Sequence, residues 1–503
     1  MTSYFPVPGD ASGNGHRFSI NENGWHKTDN MAASDVLEGK VFNDCIHGHM
    51  MLHPLCVGII DTPEFQRLRN IKQNGVVYFI YPGACHNRFE HSLGVCYLAG
   101  QMVDVLNCCR EQEGRITASE KLCLQVAGLC HDLGHGPFSH TWEHFLGRFN
   151  KHWKHEEESI NMFDLLLKNN ESVQKLFIKY GLEENEINLI KNLILGHRNV
   201  SAKSYLFEII SNNENGIDVD KWDYFLRDSL QLNLKITFDY RRLLQFCRVA
   251  AVVDDGNTKH VCFRDKEVTN IHDMFLCAGV VFSRKEKDRN KEMVPHAQGC
   301  TDTSETSEKM RRIMDAFQLA DQVGFTLQIP GDPRKYRLSE AHESSAVFST
   351  LTDHVFYSIL YSVDPHLALS RSVLNRILRR ELYQLVGSRR KTQEGQGAKD
   401  FKYELEQEIK SILSLQTEWQ VSNFTVGLID IDMDKKSQNP LKHIYLYKKS
   451  NINEAKANPE LLQLMQPMSN HFFRVEALVF YKNKLEETEV KKIQEMLCLD
   501  HAD

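Results

Sequence analysis

A mainly helical fold with a small α+β lobe at the C-terminal end is what this sequence predicts, on three observations. Over most of 41–271 apolar residues recur at helical spacing. In Ser119 to Cys130, for example, Leu122, Val126, Leu129 and Cys130 share one face. Beyond about residue 424 the texture changes, and Phe424 to Ile431, Ile444 to Tyr447 and Phe472 to Tyr481 are rich in the residues that favour strands. Finally, 503 residues exceed one compact core, and a prior of about 150 residues per domain allows roughly three units.

Taken in order, residues 1–37 carry Pro, Gly, Asn and Ser without an apolar period and are expected to form a flexible arm. Residues 38–387 are expected to form the helical core. The helix ending at Cys130 runs into His131-Asp132, after which Gly134, Gly136 and Pro137 break it. Short alternating stretches at His260 to Arg264 and Tyr336 to Arg337 suggest strands. Residues 283–311 are polar and charged and read as a solvated loop, and 276–309 reads as an atypical, loop-rich segment. Residues 388–402 read as a linker, and 403–503 as the α+β lobe.

Composition narrows the function classes. With 42% hydrophobic and 25% charged residues the chain is globular, not collagenous or wholly disordered. No apolar run approaches membrane-spanning length and no secretory leader is evident, so a soluble, unsecreted protein without membrane contact is expected. A net charge of −7 gives no global positive field for nucleic acid. Thirteen scattered cysteines without a CxxC pair fit a reducing compartment and argue against a disulfide framework.

Twenty-three histidines are the unusual number, and they cluster. His91 lies forty residues before the pair His131-Asp132, and Asp220 falls in Asp218 to Tyr224, which holds five ionisable groups in seven residues. Imidazole and carboxylate donors suit a divalent transition metal such as Zn, Fe or Mn, and two His with two Asp leave coordination positions open for water or a phosphate oxygen. A bare His-Asp pair is more often a helix end with a capping carboxylate. The glycine-rich turn after it and the matching His and Asp elsewhere favour the metal.

A second tier surrounds this set. His135, His140 and His155 are of the type that donates protons at neutral pH, and Arg88, Lys221 and Arg227 supply positive charge for phosphates. Tyr224 offers an apolar face with a hydroxyl, as a sugar needs. Each alone is about as often a surface polar or core residue; the cluster is the signal.

At these motifs, namely Asn43-Asp44-Cys45-Ile46-His47-Gly48-His49, Ile59 to Pro63, Phe65 to Arg69, His86 to Gly94, Ala127 to His140 and Asn215 to Tyr224, the chain resembles the HD-domain deoxynucleotide triphosphohydrolases, specifically the vertebrate branch joining SAM and HD domains. The resemblance runs from about Gly39 to Phe275, resumes near Met310 to Gly387 and weakens beyond Phe424. It implies an HD-type helical fold and hydrolysis of a dNTP at the α-phosphorus to a deoxynucleoside and triphosphate, with a role in controlling dNTP pools and in antiviral defence. By matching position, His91, His131, Asp132 and Asp220 would be metal ligands. His135, His140 and His155, with Glu143, would be catalytic, while Gln73, Asn74, Arg88, Lys221, Tyr224 and Asp228 would hold substrate. A guanine nucleotide (GTP or dGTP) would activate at Lys40, Asp61, Gln66 and Arg69. A dNTP, with Mg, would bind at Asn43, Asp239, Arg242, Arg264 and Lys266. Both sites would lie between subunits of a homo-oligomer, dimer to tetramer, in the nucleus or cytoplasm.

The departures from that pattern are specific. No SAM domain is expected within the thirty-odd polar residues ahead of the HD region. Glu143 stands where the family has Asp, Asn74 replaces an apolar residue, and Glu454 replaces an Arg between subunits. After Phe275, Ala278 and Phe282 stand where the family grips phosphate with Arg and His. Weak or absent dNTPase activity is therefore expected, and two rivals stay open. One is an HD-type chain that binds nucleotide or single-stranded nucleic acid without turnover, drawing on Arg379-Arg380 and Arg389-Arg390-Lys391; the other is a phosphodiesterase on another nucleotide.

Overall fold

A computed structural model describes residues 18–21, 24–27, 39–108, 114–197, 203–275, 303–381, 383–391, 398–414, 416, 418–432, 443–457 and 473–501. The architecture is mainly helical, as expected. At its centre lies α1, Arg88–Cys108, which buries residues on every face, from Phe89 and His91 to Val103 and Leu106. A helix apolar all round belongs inside a helical core. Packed on it is α2, Ala118–Cys130, whose start is fixed by a capping box in which Thr117 and Glu120 each satisfy the other's backbone amide. Three more helices complete the site's frame: α3 (His140–Gly147), α4 (His155–Asn169) and α5 (Val219–Gln231).

Strands border this core. β1 (Lys40–Asp44) and β2 (Gly48–Leu52) form an antiparallel hairpin. A second hairpin, β3 (Arg248–Val252) and β4 (Thr258–Arg264), is joined by a third from the C-terminal region, β7 (Tyr445–Lys448) and β8 (Asn451–Ala457). β7 pairs parallel with β4 and β8 parallel with β3, closing a four-stranded barrel. A four-stranded sheet runs in the order β6 (Phe424–Asp432), β9 (Phe473–Tyr481), β5 (Gln384–Lys391), β10 (Asp500–His501), all antiparallel. Against it pack α7 (Ala398–Leu413) and α8 (Glu487–Met496), with a core of their own that includes Val386, Leu405, Leu413, Val479 and Leu497.

Several expectations need correction. The linker assigned to 388–402 begins inside β5 and ends inside α7. Its charges misled: Arg389 is not a free basic run but is paired to Glu408 at 2.6 Å and bonded to the carbonyl of Leu497. The lobe assigned to 403–503 is not self-contained either, because Ile444 and Leu446 are buried in the main helical core. The solvated loop assigned to 283–311 is wrong at its C-terminal end, where α6 (Thr303–Gln322) buries Glu308, Lys309, Arg311 and Arg312. Those charges are spent inside: Arg312 on Glu308, Lys309 on the carbonyl of Phe79 and Arg311 on Thr425. Residues 276–302, with Ala278 and Phe282, lie outside the described residues. In the arm, 18–21 and 24–27 pair as an antiparallel hairpin. Among the described residues, no helix is long and apolar enough to cross a membrane.

Candidate metal centre

Three helices deliver the donors. His91 projects from the first turn of α1, His131 is the residue that ends α2, Asp132 follows it, and Asp220 lies in the first turn of α5. Glycines allow the approach. A Cβ at Gly94 would stand 1.9 Å from Asp223 Oδ1, and one at Gly134 would stand 2.2 Å from the carbonyl of His155. Only glycine lets α5 close on α1 and α4 close on the turn after Asp132.

His91 Nε2 stands 2.9 Å from Asp220 Oδ1 and 3.5 Å from Asp132 Oδ2, while His131 Nε2 stands 3.4 Å from Asp132 Oδ1 and 3.4 Å from Asp220 Oδ1. Donors held about 2.1 Å from one transition ion are spaced by roughly 3–3.5 Å from one another. Both imidazoles are aimed by their other nitrogen. His131 Nδ1 donates to the carbonyl of Gly128 at 2.8 Å, and its buried Nε2 makes no hydrogen bond. His91 Nδ1 meets Asp223 Oδ2 at 2.7 Å, and since a carboxylate only accepts, Nδ1 carries a proton and Nε2 is the nitrogen turned to the centre, able to bind an ion once it gives up its own proton. The donor set therefore fits a divalent transition metal.

Electrostatics agree with that fit. Burial raises the cost of ionising Asp132 and Asp220, yet Arg88 and the imidazoles around Asp132, and His131 and His91 around Asp220, hold both carboxyls well below their usual range. Burial alone would lower His91, but hydrogen bonds to Asp220 and Asp223 push it up to about 10. The pocket gathers more negative charge than its histidines can neutralise unless they protonate, and a bound cation does the same work.

Asp223 went without a role in the sequence reading. Its carboxylate, fully buried, binds His91, His47 Nε2 at 2.7 Å, and Arg227 through Nε and Nη2, both at 2.9 Å. Arg227 also binds Asp44 at 2.8 Å, so it is a buried strut and not the phosphate contact expected of it. The signal was present: Asp223 stands three residues after Asp220, on the same helix face.

The second tier lies alongside. His135 Nε2 is 3.2 Å from Asp132 Oδ1, and its ring stacks on His155 with centroids 4.1 Å apart. Burial, Arg88 and His155 hold His135 well below the usual histidine range. The exposed ring of His140 meets Glu143 Oε2 at 3.8 Å, and His155 meets the same oxygen at 3.8 Å. Glu143 thus bridges the two histidines. Burial would raise its carboxyl, but both imidazoles draw it well below the usual range. The turn before His140 puts Phe138 and Ser139 at φ 56° and 55°, a left-handed conformation costly for such residues. Asp353 Oδ1 accepts the Phe138 amide at 2.6 Å and Oδ2 the Lys72 amide at 2.9 Å, pinning that turn.

Of the expected substrate residues, Arg88 is buried and spans Asp132, Ser139 Oγ and the carbonyl of Gln73. Gln73 is buried with Oε1 making no hydrogen bond, Asn74 Nδ2 reaches His86 Nε2 at 3.4 Å, and His86 binds Asp228 at 2.6 Å. His86 was another residue unassigned in the sequence. Tyr224 stands beside His91 with centroids 6.3 Å apart. Lys221 Nζ lies 3.5 Å from Asp218, whose carboxyl burial pushes up to about 6 against the pull of Lys221.

The expected effector residues form two surface groups. Asp61 is exposed at the end of a short helix, and Gln66 donates to the carbonyl of Ile60, the residue before Asp61, and accepts from the Nε of Arg69. Lys40 is exposed on β1, over the Phe42 ring. In the second group Arg242 and Arg264 flank the ring of Phe246 at 5.2 and 5.3 Å, and Asp239 caps the helix that carries Arg242. Lys266 is exposed just after β4, and Asn43 is exposed on β1. Arg242 is paired with Glu267 at 2.7 Å. Glu454 is exposed on β8, where it accepts from Asn451 at 2.9 Å.

The HD domain family matches residues 88–228, the span that carries His91, His131, Asp132 and Asp220. Curated relatives extend the likeness across most of the chain. A chicken (Gallus gallus) protein named deoxynucleoside triphosphate triphosphohydrolase SAMHD1 is 41% identical over 443 residues, covering 83% of this chain and 68% of the relative. The bovine (Bos taurus) protein of the same name is 40% identical over 442 residues, covering 83% and 70%. A Dictyostelium discoideum homologue is 35% identical over 352 residues, covering 69% and 60%.

Proposed function

This chain belongs to the deoxynucleoside triphosphate triphosphohydrolase family of HD-domain proteins, and from that premise we propose that it hydrolyses a dNTP to a deoxynucleoside and inorganic triphosphate. The observation that carries the reading is the convergence of His91, His131, Asp132 and Asp220, with edges of 2.9–3.5 Å and both imidazoles aimed by partners outside the centre. A divalent transition ion held there, Zn, Fe or Mn, supplies Lewis acidity towards the α-phosphate and a water activated at neutral pH.

The chain's own residues do the rest. His135 donates Nε2–H to Asp132 and so orients that ligand. His140 is the most exposed of the three catalytic histidines and faces Glu143 through Nδ1, which leaves Nε2 to protonate the departing 5′ oxygen. His155 shares the Glu143 carboxylate and stacks on His135, fixing both rings. Arg88 adds fixed positive charge beside Asp132, and Lys221 adds another at the start of α5. Gln73 Oε1, buried and without a hydrogen bond, is an acceptor for a sugar hydroxyl, and the His86–Asp228 pair and Tyr224 complete a deoxyribose site.

Effectors follow the same premise. GTP or dGTP binds through Lys40, Asp61, Gln66 and Arg69, and a dNTP with Mg binds through Asn43, Asp239, Arg242, Arg264 and Lys266, stacking on Phe246 between two guanidinium groups. Both favour a homo-oligomer up to a tetramer, acting in the nucleus or cytoplasm on dNTP pools. The test is a dNTP panel assayed for triphosphate release, with metal analysis of the same sample. Release from deoxy- but not ribonucleotides, with about one transition metal per chain, supports the reading. A metal-loaded protein that releases no triphosphate from any dNTP overturns it.

A further inference from the structure

One buried amide next to the metal centre has no part in the reading above. Asn215 lies in the loop ahead of α5 and is 3% exposed. Its Nδ2 donates to the carbonyl of His443 at 3.0 Å, reaching across to the segment that enters β7, while Oδ1 accepts the Ile217 amide at 2.9 Å. The Asn215 amide donates to Asn212 Oδ1 at 3.3 Å, and the Asn212 amide donates to Asp218 Oδ2 at 2.9 Å. Asp218 in turn caps α5, its Oδ1 accepting the Lys221 amide at 3.0 Å. An unbroken run of hydrogen bonds therefore leads from His443 through Asn215 and Asn212 to the cap of the helix on which Asp220 stands two residues later.

The far end of that run is a fixed point. Ile444 is fully buried in the main core, and β7 is held to β4 by the parallel pairing of Leu446 with Phe263 and Tyr447 with Arg264. Tyr445 packs on His260 with ring centroids 4.9 Å apart, and His260 is itself clamped between Glu208 and Asp255, each at 2.8 Å. The near end is a sharp turn, with Gly216 at φ +68°, braced also by Asn212, whose carbonyl accepts the Gly216 amide at 2.9 Å and whose Oδ1 accepts the Glu214 amide at 3.0 Å. Asp220 stands in the first turn of α5, so where the helix starts decides where its carboxylate lies.

We propose that Asn215 is a positioning residue for the metal centre: its amide ties the loop before α5 to the carbonyl of His443, so the C-terminal hairpin sets the place of Asp220. The inference rests on the metal-centre reading. Asn215 touches neither metal nor substrate, and its effect is read in the affinity of the donor set. Loss of a partner that orients a ligand weakens metal binding by ~10–100-fold.

The experiment titrates the full chain, stripped of metal, with Mn²⁺ in a calorimeter. Asn215→Ser keeps an oxygen able to accept the Ile217 amide but is too short to reach His443. Asn215→Asp keeps the length and sets an acceptor against the His443 carbonyl. The expected result for each is Mn²⁺ affinity at least tenfold weaker than the unmutated chain, with the melting temperature of the metal-free protein little changed, a split that a general loss of stability does not give. Unchanged Mn²⁺ affinity in either folded variant overturns the inference, and so does failure of both variants to fold, which would make Asn215 a determinant of the whole core. If the unmutated chain itself takes up no Mn²⁺, Fe²⁺ or Zn²⁺, the metal-centre reading falls and this inference with it. Uptake by the unmutated chain with equal affinity in the variants overturns the inference alone.

Discussion

Asp223 accepts a 2.7 Å hydrogen bond from Nδ1 of His91, and both side chains are buried. The same carboxylate holds His47 and Arg227, so one fully buried Asp decides which nitrogen of His91 faces the centre. In Asp223→Asn the amide keeps the shape, loses the charge and one acceptor oxygen, and leaves the Arg227 cation short of a partner. Metal affinity is expected to fall by ~10–100-fold with the four ligands intact. Calorimetric titration checks this, and an Asn variant that binds metal as tightly as the unmutated protein would show that Asp223 serves the fold alone.

Removing a ligand is the harsher case. Asp132→Ala takes away the carboxylate that faces both His91 and His131 and strands the buried Arg88 opposite it. Metal and hydrolysis are expected to vanish together, and full occupancy of a transition metal in the purified variant would show that the ligand set is misassigned.

The guanine effector site is tested at Asp61. Asp61→Ala is expected to weaken GTP-dependent assembly by ten- to hundredfold, the equivalent of about 1.5–3 kcal/mol for a charged hydrogen bond, and to leave metal content unchanged. Sedimentation with and without GTP reads this out. Absence of any GTP response in the unmutated chain would make Asp61 an ordinary surface acid.

Glu158 gives a pH prediction. It is 3% exposed, and burial raises its carboxyl to about 7 from 4.5, with Asn161 as a weak counterweight. The folded protein therefore holds a proton there that the unfolded chain releases, and the associated stability is full below about pH 4.5 and is lost as pH rises through about 7. Glu158→Gln is expected to flatten that part of the stability profile and to gain on the order of 2–3 kcal/mol over the unmutated protein at pH 8. Urea unfolding at pH 5 and pH 8 decides it; a difference between the two proteins that stays constant across the window counts against a buried, titrating Glu158.

What the sequence reveals follows the range of each interaction. α2 and its C-terminal boundary were legible because the apolar period and the glycine break lie within twenty residues of each other. The four residues proposed to hold the metal stood out because ligand chemistry restricts residue type. The Asp223 network and His86 were not, since a buried carboxylate that serves another side chain looks like any helix acid until the partner, 132 residues away in the case of His91, is placed beside it. Charge was the misleading signal. Lys309 and Arg311 read as solvent-facing, yet each finds a carbonyl or hydroxyl inside. Strand β5 hid for the same reason, its Arg389 being neutralised by Glu408 on a helix that follows it.

The barrel also imposes an order on synthesis. β3 and β4 leave the ribosome as a hairpin with two open edges, and the strands that cover those edges, β7 and β8, begin at Tyr445, after 180 further residues beyond Arg264. At about 5–20 residues per second, roughly 10–40 s pass before the closing hairpin emerges. For that interval the nascent chain displays unpaired backbone amides and carbonyls beside an unfinished core, which is the condition that invites pairing with a neighbouring chain. A message truncated before codon 445 would fix the molecule in that state, so its product is expected to accumulate as aggregate or as chaperone-bound polypeptide even though every metal ligand has already been translated.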